Sequence, residues 1–323
     1  MTTENKLKIA LAGDICCGDH YFNMGSGLVS AIQKGSDPFA VIRDKLQGCD
    51  LFMGNLESVI SVGNFESGYK NQAFIAPPEA ADLLDFSGVN VLNVANNHFE
   101  QHGPRKARDC ISLLRDKGYI VVGEKSKPWE IVNAKGVNVF IVGVSMVDKP
   151  HGDAGVVFYH DISHVENLLK NEASECDLKA ISIHWGEENT LDLHDRNTLV
   201  EKLLDLGINI VHGHHPHILQ DFILSDNSFV SYSLGNFIFD LNWNDANRFS
   251  ECILLNWNGD LGFNGLELVR NFINDEFQLS TKKIGSRRRE AARKLSYFLF
   301  NLFGKGGRGQ KIAFLMDKMF GRL

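Results

Sequence analysis

At 323 residues, with 44% hydrophobic and 23% charged positions, the chain is long enough to bury a large core and has the composition of a globular protein. No apolar run approaches the roughly 20 residues that a membrane-spanning helix requires, which argues against an integral helical membrane protein. The net charge of −7 is unevenly distributed. Residues 282–323 contain twelve Lys and Arg and two acidic residues, a charge of +10, which leaves −17 on residues 1–281. This negative charge argues against a nucleic-acid partner for residues 1–281.

Strands and helices are predicted to alternate along most of the chain. Runs of β-branched and apolar residues predict strands at 7–12, 50–54, 89–94, 119–123, 137–144, 177–183 and from 208 onward. Helices are predicted between them at 37–46, 79–86, 104–117, 161–175 and 196–206. Later strands are predicted at 229–239, 252–257 and 265–272, and the first of these is interrupted at Gly235-Asn236. This order indicates an α/β body whose sheet is partly completed by hairpins.

Polar residues follow the predicted strands where each strand ends. They are Asp14, Glu57, Asn97, His98, His184 and the histidines within 214–217. Taken singly, Asp14 suits a turn cap and the histidine cluster suits a solvated loop. Because ligands in α/β sheets bind outside the carboxyl ends of the strands, the shared placement favours one common site.

The side-chain types in this set predict a metal site. Carboxylates, amides and imidazoles together suit Zn²⁺, Mn²⁺ or Fe²⁺, and the lack of paired thiolates argues against a structural zinc site. The candidates suffice for two ions, which could clamp an oxyanion and lower the pKa of a bridging water. The six cysteines show no metal-ligand spacing and are interpreted as reduced thiols. Because residues 1–8 also lack a signal-peptide pattern, we expect a cytoplasmic location.

Six short motifs occur in an order that resembles the CapA family of bacterial capsule and poly-γ-glutamate synthesis proteins, over roughly residues 7–240. The motifs are Gly13-Asp14, Gly54-Asn55-Leu56-Glu57, Ala95-Asn96-Asn97-His98, His184-Trp185-Gly186-x-Glu188, Gly213-His214-His215-Pro216-His217 and Ser233-Leu234-Gly235-Asn236-Phe237. The resemblance implies a metallophosphatase-like fold, a four-layer α-β-β-α sandwich similar to calcineurin-like phosphoesterases, over residues 1–281.

The resemblance also implies a role for each matching residue. The expected metal ligands are Asp14, Glu57, Asn97, His184, His215 and His217. The expected catalytic residues are His98, as acid and transition-state stabiliser, and Glu188. The expected substrate-binding residues are Asn55, Asn96, His214, Ser233 and Asn236. Asn55 is an alternative to Glu57 as the ligand that bridges two metals, and His214 could instead orient a ligand from outside the metal's contact shell. We expect His212, before the glycine, to be structural.

Three positions depart from the expected pattern. Cys16 stands where phosphoesterases have a histidine two residues after the first aspartate, so a metal ligand is missing there. Gln101 stands where the family usually has an aspartate, and Asn189 stands in place of an aromatic residue. These departures bear on the substrate more than on the fold.

The segment 282–323 is predicted to be a basic, amphipathic helical appendage. Residues 287–320 could contact an anionic membrane, which would place the protein at the inner membrane surface, or could pack on the body or in a homodimer. The leading functional hypothesis is a metal-dependent hydrolase of phosphoester, amide or ester bonds in capsule, exopolysaccharide or poly-γ-glutamate metabolism, with an anionic polymer or its precursor as partner. The alternative is a non-catalytic assembly or transport factor that binds such a polymer or a partner enzyme.

Overall fold

The computed structural model describes residues 6–20, 27–61, 73–147, 155–159, 162–241, 244–259, 261–274 and 277–280, so the predicted appendage at 282–323 lies outside the described residues. The helices in these ranges are α1 (Leu28–Gln33), α2 (Arg43–Leu46), α3 (Glu79–Ser87), α4 (Pro104–Asp116), α5 (Ile162–Glu172), α6 (Arg196–Asp205) and α7 (Asp245–Arg248). The first strands are β1 (Lys6–Ile15), β2 (Leu51–Leu56), β3 (Val59–Ile60), β4 (Ile75–Ala76), β5 (Val91–Asn93), β6 (Ile120–Val122), β7 (Trp129–Ala134) and β8 (Val137–Ser145). The later strands are β9 (Leu178–His184), β10 (Ile210–His214), β11 (Phe222–Leu224), β12 (Phe229–Ser231), β13 (Asn236–Ile238), β14 (Phe249–Asn258), β15 (Gly262–Ile273) and β16 (Leu279–Ser280).

Two large sheets contain most of these strands. The first runs in the order β16-β15-β14-β1-β2-β5-β6, with β13 also paired to β1, and the second runs β11-β12-β10-β9-β8-β7. Strands β1, β2, β5, β6 and β13 are parallel, as are β12, β10, β9 and β8. The parallel strands of each sheet therefore bring their carboxyl ends to one edge. Strands β3 and β4 form a separate parallel pair.

The core is divided into layers by the two sheets. Leu11 of β1 and Ile141 of β8 belong to an apolar cluster between the sheets. The outer face of the first sheet packs against α3 and α4, and the outer face of the second against α5 and α6. The predicted four-layer α-β-β-α sandwich is therefore confirmed. All six cysteines are unpaired, as expected.

The local sequence explains why these elements form. Every residue of β2 and of β10 is buried, as expected for parallel strands covered on both faces. Helix α4 begins with Pro104 at its first turn, where a missing N–H costs nothing, and buries Ala107, Ile111 and Leu114 at helical spacing. None of the helices in the described ranges has the length and apolar composition needed to cross a bilayer.

The predicted helix at 37–46 is wrong in its first half. Only α2 is helical, and residues 38–42 form turns in which Asp37 Oδ1 accepts a hydrogen bond from Phe39 N at 3.0 Å. An aspartate side chain that satisfies the backbone locally competes with helix formation. The two later strands predicted at 252–257 and 265–272 are confirmed as the antiparallel pair β14 and β15.

The predicted strand at 229–239 is two strands in different sheets. Strand β12 pairs with β10 in the second sheet, whereas β13 pairs with β1 in the first. The chain crosses between the sheets at Gly235. The φ of this residue is +70°, a left-handed backbone conformation that favours glycine. A Cβ at Gly13 of β1 would lie 1.8 Å from Gly235 O, so both glycines are needed for this crossing. The interruption was visible in the sequence, but the change of sheet was not.

Candidate metal centre

Two buried carboxylates lie side by side at the edge of the first sheet. Asp14 is near the end of β1 and Glu57 directly follows β2, and both are 0% exposed. The register of β1 and β2 places Asp14 opposite Asn55. The Asn55 amide joins the two acids, because its Nδ2 donates to Asp14 Oδ1 at 3.0 Å and to Glu57 Oε1 at 2.9 Å.

A layer of amides supports this pair from β5 and the turn after it. Asn96 Nδ2 donates to Asn55 Oδ1 at 3.2 Å, and Asn93 Nδ2 lies 3.4 Å from the same oxygen. Asn96 Oδ1 accepts from His98 N and from Phe99 N at 3.2 and 2.9 Å, which shapes the turn that presents Asn97 and His98. Both polar atoms of Asn96 are thus engaged by the chain, and its predicted contact with substrate stays a prediction.

The second sheet supplies imidazoles from two neighbouring strands. His184 and His214 are the last residues of β9 and β10 and lie opposite each other in the register. His214 Nδ1 lies 3.0 Å from Asp14 Oδ1, and His184 Nε2 lies 2.9 Å from Asn97 Oδ1. Residues from the ends of both sheets therefore meet in one place, as the sequence predicted.

The turn after β10 carries two more histidines. His215 and His217 have φ values of +98° and +57°, which is unusual for residues with a side chain and marks a tightly constrained turn. His217 Nδ1 lies 2.9 Å from Asn236 Oδ1 and 3.3 Å from Asp14 Oδ2, and its Nε2 lies 3.7 Å from Glu57 Oε2. His217 is therefore placed between the two carboxylates.

The charges of this group depend on one another. Burial, together with the charge of Asp14, raises the pKa of Glu57 well above its usual range. Burial opposes ionisation of Asp14 too, but the hydrogen bonds from His214 and His217 outweigh it and hold the Asp14 pKa well below its usual range. Burial disfavours the charged form of His217, yet the charges of Glu57 and Asp14 raise the His217 pKa to about 10. In the metal-free protein, protonated His217 is thus the cation between the acids.

The imidazoles of His98, His184 and His215 are neutral at physiological pH. Burial lowers the pKa of His98 and of His215 to about 4, and it lowers the pKa of His184 well below its usual range. A neutral imidazole keeps the lone pair that a metal ligand needs.

The donor set fits divalent metal ions. One ligand atom from each of Asp14, Glu57 and His217 lies within 4.8 Å of the others, and the same holds for Glu188, His215 and His217. In the described part of the chain, Glu57 Oε2, His214 Nε2 and His215 Nδ1 are buried polar atoms without a hydrogen-bond partner. Buried atoms left in this state are costly, and a bound cation would satisfy them.

Some predicted residues are occupied in supporting the fold. Ser233 Oγ accepts a hydrogen bond from Gly235 N at 3.2 Å, within the crossing between the sheets. His212 Nε2 lies 2.8 Å from Ala12 O of β1, which joins the two sheets and agrees with the structural role expected of it. Cys16 is buried with Phe74, and its Sγ lies 3.4 Å from Gly18 O. Burial raises the pKa of the Cys16 thiol well above its usual range, so it is a poor ligand.

Several residues at the site were missed in the sequence. Phe74 stacks on the His98 ring with centroids 3.9 Å apart and planes at 10°, and Phe239 meets the His217 ring edge-on at 5.0 Å. Asn247 Nδ2 donates to Asn189 Oδ1 at 2.6 Å and to His217 O at 3.2 Å. No pattern at these positions indicated a site. The Asn-His and His-Pro-His clusters can be recognised in the sequence as candidate ligands, whereas single aromatic and amide residues cannot.

Metal binding is expected to release protons. A histidine ligand must be neutral, so an ion that binds His217 has to displace the proton held there by a pKa of about 10. Between pH 6.5 and 9 the apparent affinity for Mn²⁺ should therefore rise with pH, with at least one proton released per site occupied. Calorimetric titrations in two buffers of different ionisation enthalpy measure this number.

The variant His215→Gln is the matched control for this titration. The His215 imidazole is already neutral, with a pKa of about 4, so its removal should weaken binding without changing the number of protons released. A wild-type protein that binds Mn²⁺ at pH 7.5 with no proton release would contradict the assignment of His217 as a ligand.

Solved structures with a partial likeness to this chain include two nucleotidases. The NAD nucleotidase of Haemophilus influenzae matches with a TM-score of 0.46 and 13% identity over 98% of this chain and 68% of that chain. The 5'-nucleotidase of Candida albicans matches with a TM-score of 0.48 and 11% identity over 99% of this chain and 59% of that chain. Likenesses at this level say nothing about the substrate.

Closer relatives are found by sequence. The protein of Bacillus anthracis named "Capsule biosynthesis protein CapA" is 30% identical over 261 residues, which cover 74% of this chain and 61% of the relative. The "PGA biosynthesis protein CapA" of Bacillus subtilis is 25% identical over 254 residues, which cover 75% of this chain and 65% of the relative. The chain thus spans slightly less than two thirds of the length of these curated relatives.

The family described as "Bacterial capsule synthesis protein PGA_cap" matches residues 8–241. This range runs from β1 through β13, and it contains every predicted metal ligand of the candidate centre, whereas Asn247 lies beyond it. The chain therefore belongs to the family of bacterial capsule synthesis proteins.

Proposed function

We propose that this protein is a metal-dependent hydrolase that cleaves a phosphoester, amide or ester bond in an anionic cell-surface polymer or its precursor. The observation that carries the proposal is the buried carboxylate pair, Asp14 and Glu57, joined by one amide and surrounded by imidazoles. Two acids in this position repel each other unless a cation lies between them, and a divalent ion would take over this role when it displaces the proton of His217. The residues that would hold two divalent ions such as Mn²⁺, Zn²⁺ or Fe²⁺ are Asp14, Glu57, Asn97, His184, His215 and His217. Such ions supply charge stabilisation and an activated water.

His98 is assigned to proton transfer in this reaction. Its Nδ1 lies 3.0 Å from Gln101 Oε1 and donates to it, so the proton is on Nδ1 and the lone pair is on Nε2. Nε2 faces the side of Asn97, whose Nδ2 lies 3.3 Å away. The stacked Phe74 ring holds the imidazole in this plane. Because the His98 pKa is about 4, the neutral ring is suited to accept a proton at Nε2 rather than to act as a permanent cation.

The substrate class is proposed from the family and from charge. The relatives named above are described by capsule biosynthesis and PGA biosynthesis, and these descriptions support a cell-surface polymer or its precursor as the substrate. The charge of +10 on residues 282–323 would attract an anionic polymer or an anionic membrane surface to a body that is itself acidic.

A second candidate function is favoured by Cys16. Its thiol contacts Gly18 O and lies among Phe74, Phe239 and Leu241, so it adds no ligand to the centre. A centre that lacks a ligand could bind a metal and an anionic polymer without hydrolysing it, as an assembly or transport factor would.

One experiment separates the two candidates. The full chain, loaded with Mn²⁺, is assayed against bis(4-nitrophenyl) phosphate and against poly-γ-glutamate, with and without a chelator. A hydrolase should cleave at least one of them in a chelator-sensitive way, and His98→Ala should lower kcat by about 100- to 10,000-fold while metal stays bound. Asn133→Ala, which removes an exposed side chain bonded to Asn138 in the hairpin between β7 and β8, is the control for general damage to the second sheet. A fully metallated protein that cleaves neither substrate would favour the assembly factor.

A further inference from the structure

A second group of ligand atoms extends from the buried centre toward solvent. It consists of Glu188, His215 and His217, with one ligand atom from each within 4.8 Å of the others. His215 and His217 are buried, at 5% and 3% exposed, whereas Glu188 is on the surface. His217 also belongs to the buried group with Asp14 and Glu57, so the two groups share one residue.

The loop that carries Glu188 is constrained where it leaves β9. Trp185 Nε1 donates to Tyr232 O at 3.0 Å, which fixes the first residue after the strand. Gly186 has a φ of +82°, and a Cβ there would lie 2.8 Å from Arg196 Nη1. The Arg196 guanidinium in turn donates to Gln220 Oε1 at 3.0 Å and to Asp192 O at 2.8 Å, which ties the far side of the loop to the body.

The residue after Glu188 is bonded to the histidine turn itself. Asn189 N donates to Pro216 O at 2.9 Å, between the two histidine ligands. Asn189 Oδ1 accepts from Asn247 Nδ2, and the same Nδ2 donates to His217 O at 3.2 Å. Asn247 is completely buried, and its own carbonyl accepts from Asn236 Nδ2 at 3.0 Å. Asn247 therefore joins the Glu188 loop, the histidine turn and the Asn236 side chain that contacts His217.

Two further observations indicate that this arrangement is built to hold a cation. His215 Nδ1 is buried and has no hydrogen-bond partner in the described part of the chain. The carboxylate of Glu188 acts electrostatically on His98, His215 and His217, although burial is the larger influence on each. Glu188 thus lies on the solvent side of the centre. A carboxylate in this position can complete a ligand set whose other members, His215 and His217, are buried.

We propose that Glu188 is a metal ligand together with His215 and His217, that it closes the metal centre on the solvent side, and that Asn247 is the positioning residue that holds its loop in place. This inference rests on the proposed metal-binding function of the site. It gives Glu188 a role different from the acid or base expected from the family resemblance.

The test compares two neighbouring glutamates on the same loop. The metal-free full chain and its variants Glu188→Gln and Glu187→Gln are titrated with Co²⁺, followed by calorimetry and by the visible absorption of the bound ion. Glu187 is exposed and its carboxylate lies 3.7 Å from His194 Nε2, so it is a matched control. Glu188→Gln should weaken one Co²⁺ site by about 10- to 100-fold or more and change its spectrum, since even partners outside the first ligand shell have effects of this size. Glu187→Gln should resemble the wild type. Wild-type affinity and spectrum in Glu188→Gln would overturn the proposal.

The positioning role of Asn247 has its own variant. Asn247→Asp keeps the shape but replaces the donating amide with an acceptor that repels Asn189 Oδ1 and His217 O, so Co²⁺ affinity and spectrum should shift in the same direction as in Glu188→Gln. Asn197→Asp is the control, because Asn197 Oδ1 only accepts from Tyr232 OH and an aspartate can still do so. An unchanged Co²⁺ spectrum in Asn247→Asp would overturn this role.

The titration also separates this inference from the proposed hydrolase. A wild-type protein that binds Co²⁺ through Glu188 but cleaves no substrate contradicts the hydrolase and supports the ligand assignment. A wild-type protein that binds no Co²⁺ contradicts both.

Discussion

Replacing Asp14 with asparagine should leave a folded protein that has lost its divalent ion and its activity. The Asp14 carboxylate accepts hydrogen bonds from Asn55 Nδ2 and His214 Nδ1, both at 3.0 Å, and from His215 N at 3.3 Å. Asparagine has the same shape, but it removes the charge that faces His217. We expect the affinity for Mn²⁺ to fall by at least about 100-fold, the upper end of the effects seen for partners outside the ligand shell. Metal analysis of the purified variant and titration with Mn²⁺ measure the loss.

The control for this variant is Asp50→Asn. Asp50 directly precedes β2 at its amino end, at the opposite edge of the sheet, where it accepts from Lys8 N and pairs with Lys135. This variant should bind Mn²⁺ as the wild type does. Circular dichroism of both proteins checks that they are folded, and a folded Asp14→Asn protein with wild-type metal content and activity would remove the basis of the proposed function.

Alanine at Gly13 should strongly destabilise the fold and disturb the metal centre as well. The added Cβ would lie 1.8 Å from Gly235 O, and backbone on both sides leaves little room for adjustment. The same oxygen accepts the hydrogen bond from Asp14 N at 2.9 Å, so moving it would disturb both Asp14 and the neighbouring Asn236. We expect a loss of about 3 kcal/mol or more in the free energy of unfolding, the upper end for overpacking. Denaturant unfolding measures it.

Gly48→Ala is the comparison for a glycine without a close neighbour. Gly48 has a φ of +74° but no heavy atom within 4 Å of an added Cβ. Alanine there should cost only about 1–2 kcal/mol, from the left-handed backbone, and should leave metal binding unchanged. Equal losses in the two variants would mean that the contact between Gly13 and Gly235 is not what constrains the crossing.

The positions of the main strands could be predicted from the sequence because each is a short apolar run followed by a polar turn. Buried parallel strands need apolar residues on both faces, and this pattern is local. The polar residues that follow β1, β2, β5, β9 and β10 could be assigned to a common site for the same reason, since the carboxyl ends of parallel strands share one edge. The start of helix α2 could not be predicted in this way, because the hydrogen bond that Phe39 N donates to Asp37 Oδ1 is not visible in the periodicity of the sequence.

The partners of each ligand could not be predicted, because they come from distant parts of the chain. Asn236 reaches His217 only because the segment from β12 to β13 passes from one sheet to the other. Asn247 joins two loops that are separated from it by about 30 and 60 residues, and no spacing rule covers such a contact. The pKa values could not be predicted either. The pKa of about 10 for His217 and of about 4 for His98 arises from burial and from neighbouring groups that only the folded chain provides.

Local sequence patterns thus determined the α/β class and the edge at which Asp14, Glu57 and the histidines gather, because strand formation and strand ends are encoded in neighbouring residues. The layered sandwich was expected only from the family resemblance. The tertiary structure decided which of these side chains face one another, that Cys16 turns away, and that Glu188 is held over the histidine turn through Asn189 and Asn247. Those outcomes depend on the packing of two sheets against each other. A packing contact between residues far apart in the chain cannot be recognised from the sequence around either residue.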